Sequence, residues 1–239
     1  MTAAAGHGWG LAIFPLLASA IALVFGVRLT QRFLRRRRPY EGIWALALFM
    51  YAVASFAMFL GVVGGWSPVD YRLYWVFGAV LNVPYLSLGE VYLLGRLGRG
   101  ASAAIGALTG ILTFLALYLV WKASIHPGSL AGALPLGKEV FGDGSQAYRL
   151  AQYYSLPAYF LLLGGLAWST MQMRGKPELR NRMAGTFGIA MGATIVAIGS
   201  GIGAAFHVVP LFSVSLAVGI AVMFGGFVRA GRSVRQPVD

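Results

Sequence analysis

Seven apolar runs, each about as long as the 20 residues a helix needs to cross bilayer hydrocarbon, take up most of this 239-residue chain. Bounded by charge, proline or glycine, they fall at 10–33, 42–65, 71–95, 102–124, 149–172, 184–206 and 208–229. Only 11% of the residues are charged and 58% are hydrophobic, against about 25% charged in an ordinary soluble domain. The expected fold is therefore all-α: one polytopic transmembrane domain over 1–239, with helices three and six central. The longest connection, 125–148, is too short to hide a soluble domain, so any chemistry belongs in or beside the bundle.

Charge sets the expected orientation. Basic residues are retained on the cytoplasmic side of spanning helices. With the amino terminus outside, the inner segments hold Arg28, Arg32 and Arg35 to Arg38, then Arg96 and Arg99, then Arg174, Lys176, Arg180 and Arg182, then Arg229, Arg232 and Arg235. Of the 19 lysines and arginines, Arg72, Lys122, Lys138 and Arg149 remain outside. The expected topology is amino terminus out, carboxyl terminus cytoplasmic. The first run has basic residues after it and none before it, the reverse of a cleavable signal peptide. Arg35, Arg36, Arg37 and Arg38 are read as lipid headgroup anchors, since each basic residue near anionic lipid adds about 1 kcal/mol. That accounts for much of the net charge of +12 without nucleic acid as a partner. Trp9, Tyr40, Trp66, Tyr71, Trp121 and Tyr148 mark span ends, where aromatic rings sit at headgroup level.

Glycines recur at four-residue spacing at 61/65, 106/110, 188/192 and 199/203, the pattern that lets two helices approach closely in lipid. The sixth run, with glycines at 185, 188, 192, 199 and 203, is expected to be the most buried. Pro15, Pro84 and Pro157 each remove a backbone donor in or near a span. An offset of 142 residues pairs Pro15 with Pro157, Arg32 with Arg174, Arg38 with Arg180, Gly61 with Gly203 and Pro68 with Pro210. It maps helices one to three onto five to seven, as in parallel-repeat transporters, although chance matches suffice to explain it. The glycine-rich loop at 125–148 is expected to be an irregular, passive connection, with a cap over the outer mouth of the bundle as the alternative; its Glu139 and Asp143 are too few for a calcium loop.

Glu90 is the one acid well inside a run. It lies six residues before Arg96, about 9 Å up the helix, at a depth where an exposed charge is costly. It must face the interior, be neutral, or pair. Asn82, Ser87 and Glu90 fall on one broad face at 100° per residue, with Tyr85 close by, and these four form the candidate intramembrane site. Pro84 leaves the Val80 carbonyl without its helical donor. Partners within reach on other helices include Tyr51, Gln152, Tyr153, Tyr154, Tyr159, Thr186, Thr194 and Ser200.

Cysteine is absent, which removes thiol chemistry and disulfides. His7, His126 and His207 all lie near outer ends, and none has helical metal-ligand spacing. No phosphate-binding glycine loop or served serine nucleophile occurs. The helix count and external amino terminus resemble the rhodopsin plan, small sugar facilitators and bacterial seven-helix sensory modules. Retinal attachment needs a lysine in the last helix, and 208–229 contains none. The expectation is a non-enzymatic inner (plasma) membrane protein with no cofactor, which senses or binds a ligand or serves as accessory subunit to a membrane protein partner. The alternative is a small-solute or proton-linked transporter with Glu90 as coupling residue.

Overall fold

The computed structural model describes residues 5–95, 98–176 and 179–232. Arg96 and Arg235 lie outside the described residues, as do the side chains of His7, Trp9, Arg99, Arg182 and Arg232. Among the described residues every regular element is a helix. In chain order they are α1 (Ala5–Arg36), α2 (Pro39–Gly64), α3 (Pro68–Leu94), α4 (Gly98–Lys122), the short α5 (Gly137–Phe141), α6 (146–173), α7 (Arg180–Ala205) and α8 (Val209–Arg232). Six of them, all but α5 and α6, are long and apolar enough to cross a membrane, which marks a multi-pass membrane protein.

The fifth expected run, 149–172, is not among those six. Its helix is present but composite: Gln146–Leu150 is α-helical, Ala151–Ser155 is a π-helix and Leu156–Met173 is α-helical. Polar residues at 152–155 and Gln172 dilute its apolar character. It nevertheless runs parallel to α3 along most of that helix. Trp75 Nε1 donates to the Ala147 carbonyl, Ser155 meets Ala79 and Val80, and Ser169 meets Glu90.

Local chemistry places the helix ends. Arg37 adopts φ 53° and Arg38 is the extended N-cap before Pro39, so α1 turns sharply into α2. Ser67 caps α3 by accepting from Asp70 N–H, and Pro68 follows at a position where no N–H is needed. Arg72 donates to the Val120 and Ala123 carbonyls, satisfying the carboxyl end of α4.

The helices form a ring. α1 packs on α2, α2 on α3, α3 on α6, α6 on α7, α7 on α8 and α8 on α1, while α4 lies outside the ring against α3.

Three expectations change. The α7 glycines do make one packing face: a Cβ added at Gly185, Gly188, Gly192, Gly199 or Gly203 would run into α8. Yet α7 is not the most buried helix, with 22% of its most apolar stretch buried against 56% for α2. Close approach needs one small-residue stripe, and the other faces of α7 meet α6, line a cavity or stay exposed. Of the other glycine pairs, Gly61 receives the Trp66 ring, Gly65 ends α2 at φ 84°, Gly106 faces the Tyr92 hydroxyl and Gly110 faces open space. Trp66 and Tyr71 are not headgroup anchors; at 7% and 0% exposure they pack edge to face under the 125–148 loop.

That loop is a fitted cap, which is the third change. Its Leu134, Val140 and Phe141 are buried. Tyr71 and Trp66 donate to the Pro135 and Ala133 carbonyls, and Gly137 lies flat on the Trp75 indole.

Candidate functional site: a cavity within the helix bundle

The four candidate residues on α3 do not act as one face. Asn82 turns to α2, donating Nδ2 to the Ala47 carbonyl at 2.7 Å. Tyr85 turns to α4, where its hydroxyl meets Thr113 Oγ1 at 3.0 Å. Glu90 turns to α6, where its Oε1 accepts from Ser169 Oγ at 3.4 Å. Ser87 is 4% exposed. A broad polar arc on a helix with three neighbours is divided among them, one hydrogen bond to each.

Glu90 is 1% exposed, so it looks inward as expected. Its Cγ fills the notch left by Gly165: a Cβ there would sit 2.5 Å away. Its Oε2 is buried without a hydrogen-bond partner. The partner residue, Ser169, was not among those the sequence singled out, and no sequence signal separates it from the other hydroxyls of α6. A second carboxylate was also missed. Glu41, in the first turn of α2, is 3% exposed and its Oε2 is likewise unpartnered. Trp44, one turn further on, donates to the Leu86 carbonyl and covers Gly89, so Glu41 and Glu90 lie at similar depth. Glu41 falls just before the 42–65 run, outside the segments read as intramembrane.

A cavity of about 540 Å³ is lined by α2, α3, α6, α7 and α8. Asn82 lines it; Glu90, Ser87 and Tyr85 do not. Both π-helical segments, Trp75–Leu81 and Ala151–Ser155, contribute to its wall. They are linked by Ser155, whose hydroxyl lies 2.6 Å from the Ala79 carbonyl and 3.0 Å from that of Val80. Val80 is the residue whose carbonyl Pro84 deprives of a donor, and a hydroxyl from the next helix supplies the replacement. π-Helical turns inside α-helices commonly accompany functional sites.

No lining residue carries a charge. The polar groups in the wall are Tyr51, Ser55, Tyr74, Asn82, Trp75, Ser155, Tyr159 and Ser200, and Tyr51 donates to the Leu216 carbonyl of α8. Tyr74 and Trp75 also line a smaller space of about 290 Å³ under the 125–148 loop, between residues 134–138 and Tyr148. These two side chains therefore stand between a vestibule under that loop and the cavity. On the opposite flank Leu156 and Phe160 of α6 and Ile198 of α7 line the cavity while being more than half exposed, so the cavity reaches the lipid-facing side between α6 and α7.

The remaining sequence candidates are dispersed. Arg35 to Arg38 are exposed at the α1–α2 turn, and Arg38 donates to the Tyr40 hydroxyl. His126 Nδ1 lies 3.0 Å from the Val140 carbonyl, and His207 Nε2 lies 3.9 Å from Glu139. Among the described residues no cluster of three or more His, Asp or Glu could hold a metal. Compared with protein-family models, curated proteins and solved structures, the chain matches none.

Proposed function

We propose that the protein is a non-enzymatic ligand-binding or sensing protein of the plasma (inner) membrane, with seven crossings, an external amino terminus and a cytoplasmic carboxyl terminus. The observation that carries the binding role is the 540 Å³ cavity, a size within the about 300–1,000 Å³ of small-molecule sites, which are mostly apolar with a few placed polar groups. Support for a seventh crossing comes from α6. It keeps pace with α3 from Trp75 to Glu90, and its length of roughly 40 Å exceeds the about 30 Å of hydrocarbon. The arginine turn at 35–38 supports the orientation.

The transporter alternative asks Glu90 to meet a solute path. Glu90 packs instead on Gly165 and Ser169, away from the cavity, which favours binding over coupled transport. An accessory role in a larger membrane complex is compatible with a ligand site.

The absence of native cysteine makes the test direct. In intact cells an impermeant maleimide should label Asp143→Cys, and Lys176→Cys only after permeabilisation; the opposite pattern would reverse the topology. Protein purified in mild detergent should retain a non-bilayer small molecule near one per chain by mass spectrometry. Retention of bulk phospholipid alone would count against the binding role.

A further inference from the structure

We infer that the cavity takes a neutral lipid with an unbranched or isoprenoid body and a single hydrogen-bonding end, which enters sideways from the bilayer between α6 and α7. The inference rests on the binding role proposed above and names the class of ligand.

Three observations define that class. First, the wall has no lysine, arginine, aspartate or glutamate. A phosphate, carboxylate or ammonium head would be desolvated there with nothing to pair it, at a cost far above any gain from its tail. Ions, nucleotides and charged lipid heads are therefore excluded from the site. Second, four of the eight polar residues in the wall, Tyr51, Ser55, Asn82 and Ser155, gather at one level. Tyr51 and Ser55 of α2 lie across from Gly78 and Asn82 of α3, as the close approach of Gly78 to Ala54 and the Asn82–Ala47 bond show. Ser155 of α6 joins them at Ala79 and Val80. This level is the middle of the Pro68–Leu94 helix, which is the middle of the bilayer if that helix spans it.

The polar belt still has hydrogen-bonding capacity. Asn82 uses one N–H on Ala47, leaving its second N–H and its carbonyl oxygen; Tyr51 uses its proton on Leu216, leaving its oxygen as acceptor. A phospholipid tail brings only methylene groups to such a belt, and its headgroup is held at the interface. A neutral alcohol, ketone or quinone can place its polar end at mid-depth and gain those bonds.

The third observation is the route. Leu156, Phe160 and Ile198 are at once cavity wall and lipid-facing surface, whereas the outer side is closed by Tyr74 and Trp75 beneath the capping loop. An apolar guest therefore arrives from lipid without crossing water.

Gly201 provides a clean perturbation. It lines the cavity at its exposed edge, and a Cβ added there meets nothing within 4 Å, so Gly201→Phe narrows the entrance between α6 and α7 without a clash at its base. The probes are radiolabelled farnesol and farnesyl diphosphate, which share a body and differ in head charge, titrated onto protein in nanodiscs. Farnesol should bind saturably, the diphosphate at least tenfold more weakly, and Gly201→Phe should weaken farnesol at least tenfold with elution and melting unchanged. Ala197→Leu, also in the wall, serves if the phenylalanine variant misfolds. Equal binding of both probes, both lost in the filled variant, would overturn the neutral-ligand class while leaving the site intact. Non-saturable farnesol uptake, or binding untouched by either filled variant, would overturn the site itself.

Discussion

The same substitution at two points of α7 should change stability in opposite directions. At Gly192 an added Cβ would meet the Gly219 carbonyl oxygen and lie 2.7 Å from the Met223 nitrogen. Both are backbone atoms of α8, so relief requires the helices to separate. Overpacking of this kind costs about 1–3 kcal/mol, and rigid backbone on the far side puts Gly192→Ala near the top of that range. Alanine gains about 0.5–1 kcal/mol over glycine in a helix, which leaves a net loss of about 2 kcal/mol, or roughly 30-fold in the folding equilibrium. At Gly201 nothing lies within 4 Å of the new Cβ, so only the helix gain of about 0.5–1 kcal/mol remains. The two variants should thus differ by about 3 kcal/mol. Reversible unfolding in mixed micelles, with the midpoint read from helical circular dichroism, measures it. If both variants shift the midpoint the same way by similar amounts, the α7–α8 contact is not the tight backbone seam described here.

Two further outcomes follow from the α3–α6 seam. Ser155→Ala leaves the Ala79 and Val80 carbonyls without their hydroxyl donor, and should cost about 1–3 kcal/mol in the same unfolding assay; Ser155→Thr, which keeps the hydroxyl, should recover part of it. At the carboxylate, Glu90→Gln preserves shape and the acceptor for Ser169, so a change under about 1.5 kcal/mol is expected, as for a volume-conserving swap. Gly165→Ala drives a Cβ to 2.5 Å from the Glu90 Cγ and should cost about 1–3 kcal/mol, a ranking that reverses if Glu90 works chiefly through its charge.

How much of this was readable along the chain depends on the range of the interaction involved. The need for an inward-facing Glu90 and for a new donor at the Val80 carbonyl could be stated from helix geometry and the chemistry of proline alone, because both arise within one helix. Which neighbour answers could not. Ser155 and Ser169 are two hydroxyls among several on α6, and only the parallel register of α3 and α6 selects them. The same limit explains Trp66 and Tyr71: an aromatic at a helix end faces headgroups unless a loop covers it, and the covering is a long-range contact.

By itself, then, the order of residues determined the solvent. A chain this apolar and sparsely charged must form helices that satisfy their own backbone in lipid, and its glycine stripe on α7 must meet another helix. Tertiary structure decided which surfaces meet: it divided the polar arc of α3 among α2, α4 and α6, left α4 outside the ring, and opened a cavity where Asn82 participates and Glu90 does not. The physical reason is that burial in lipid supplies little preference for one apolar helix face over another. Register and neighbours are therefore set by steric notches and stray hydrogen bonds between residues distant in the chain.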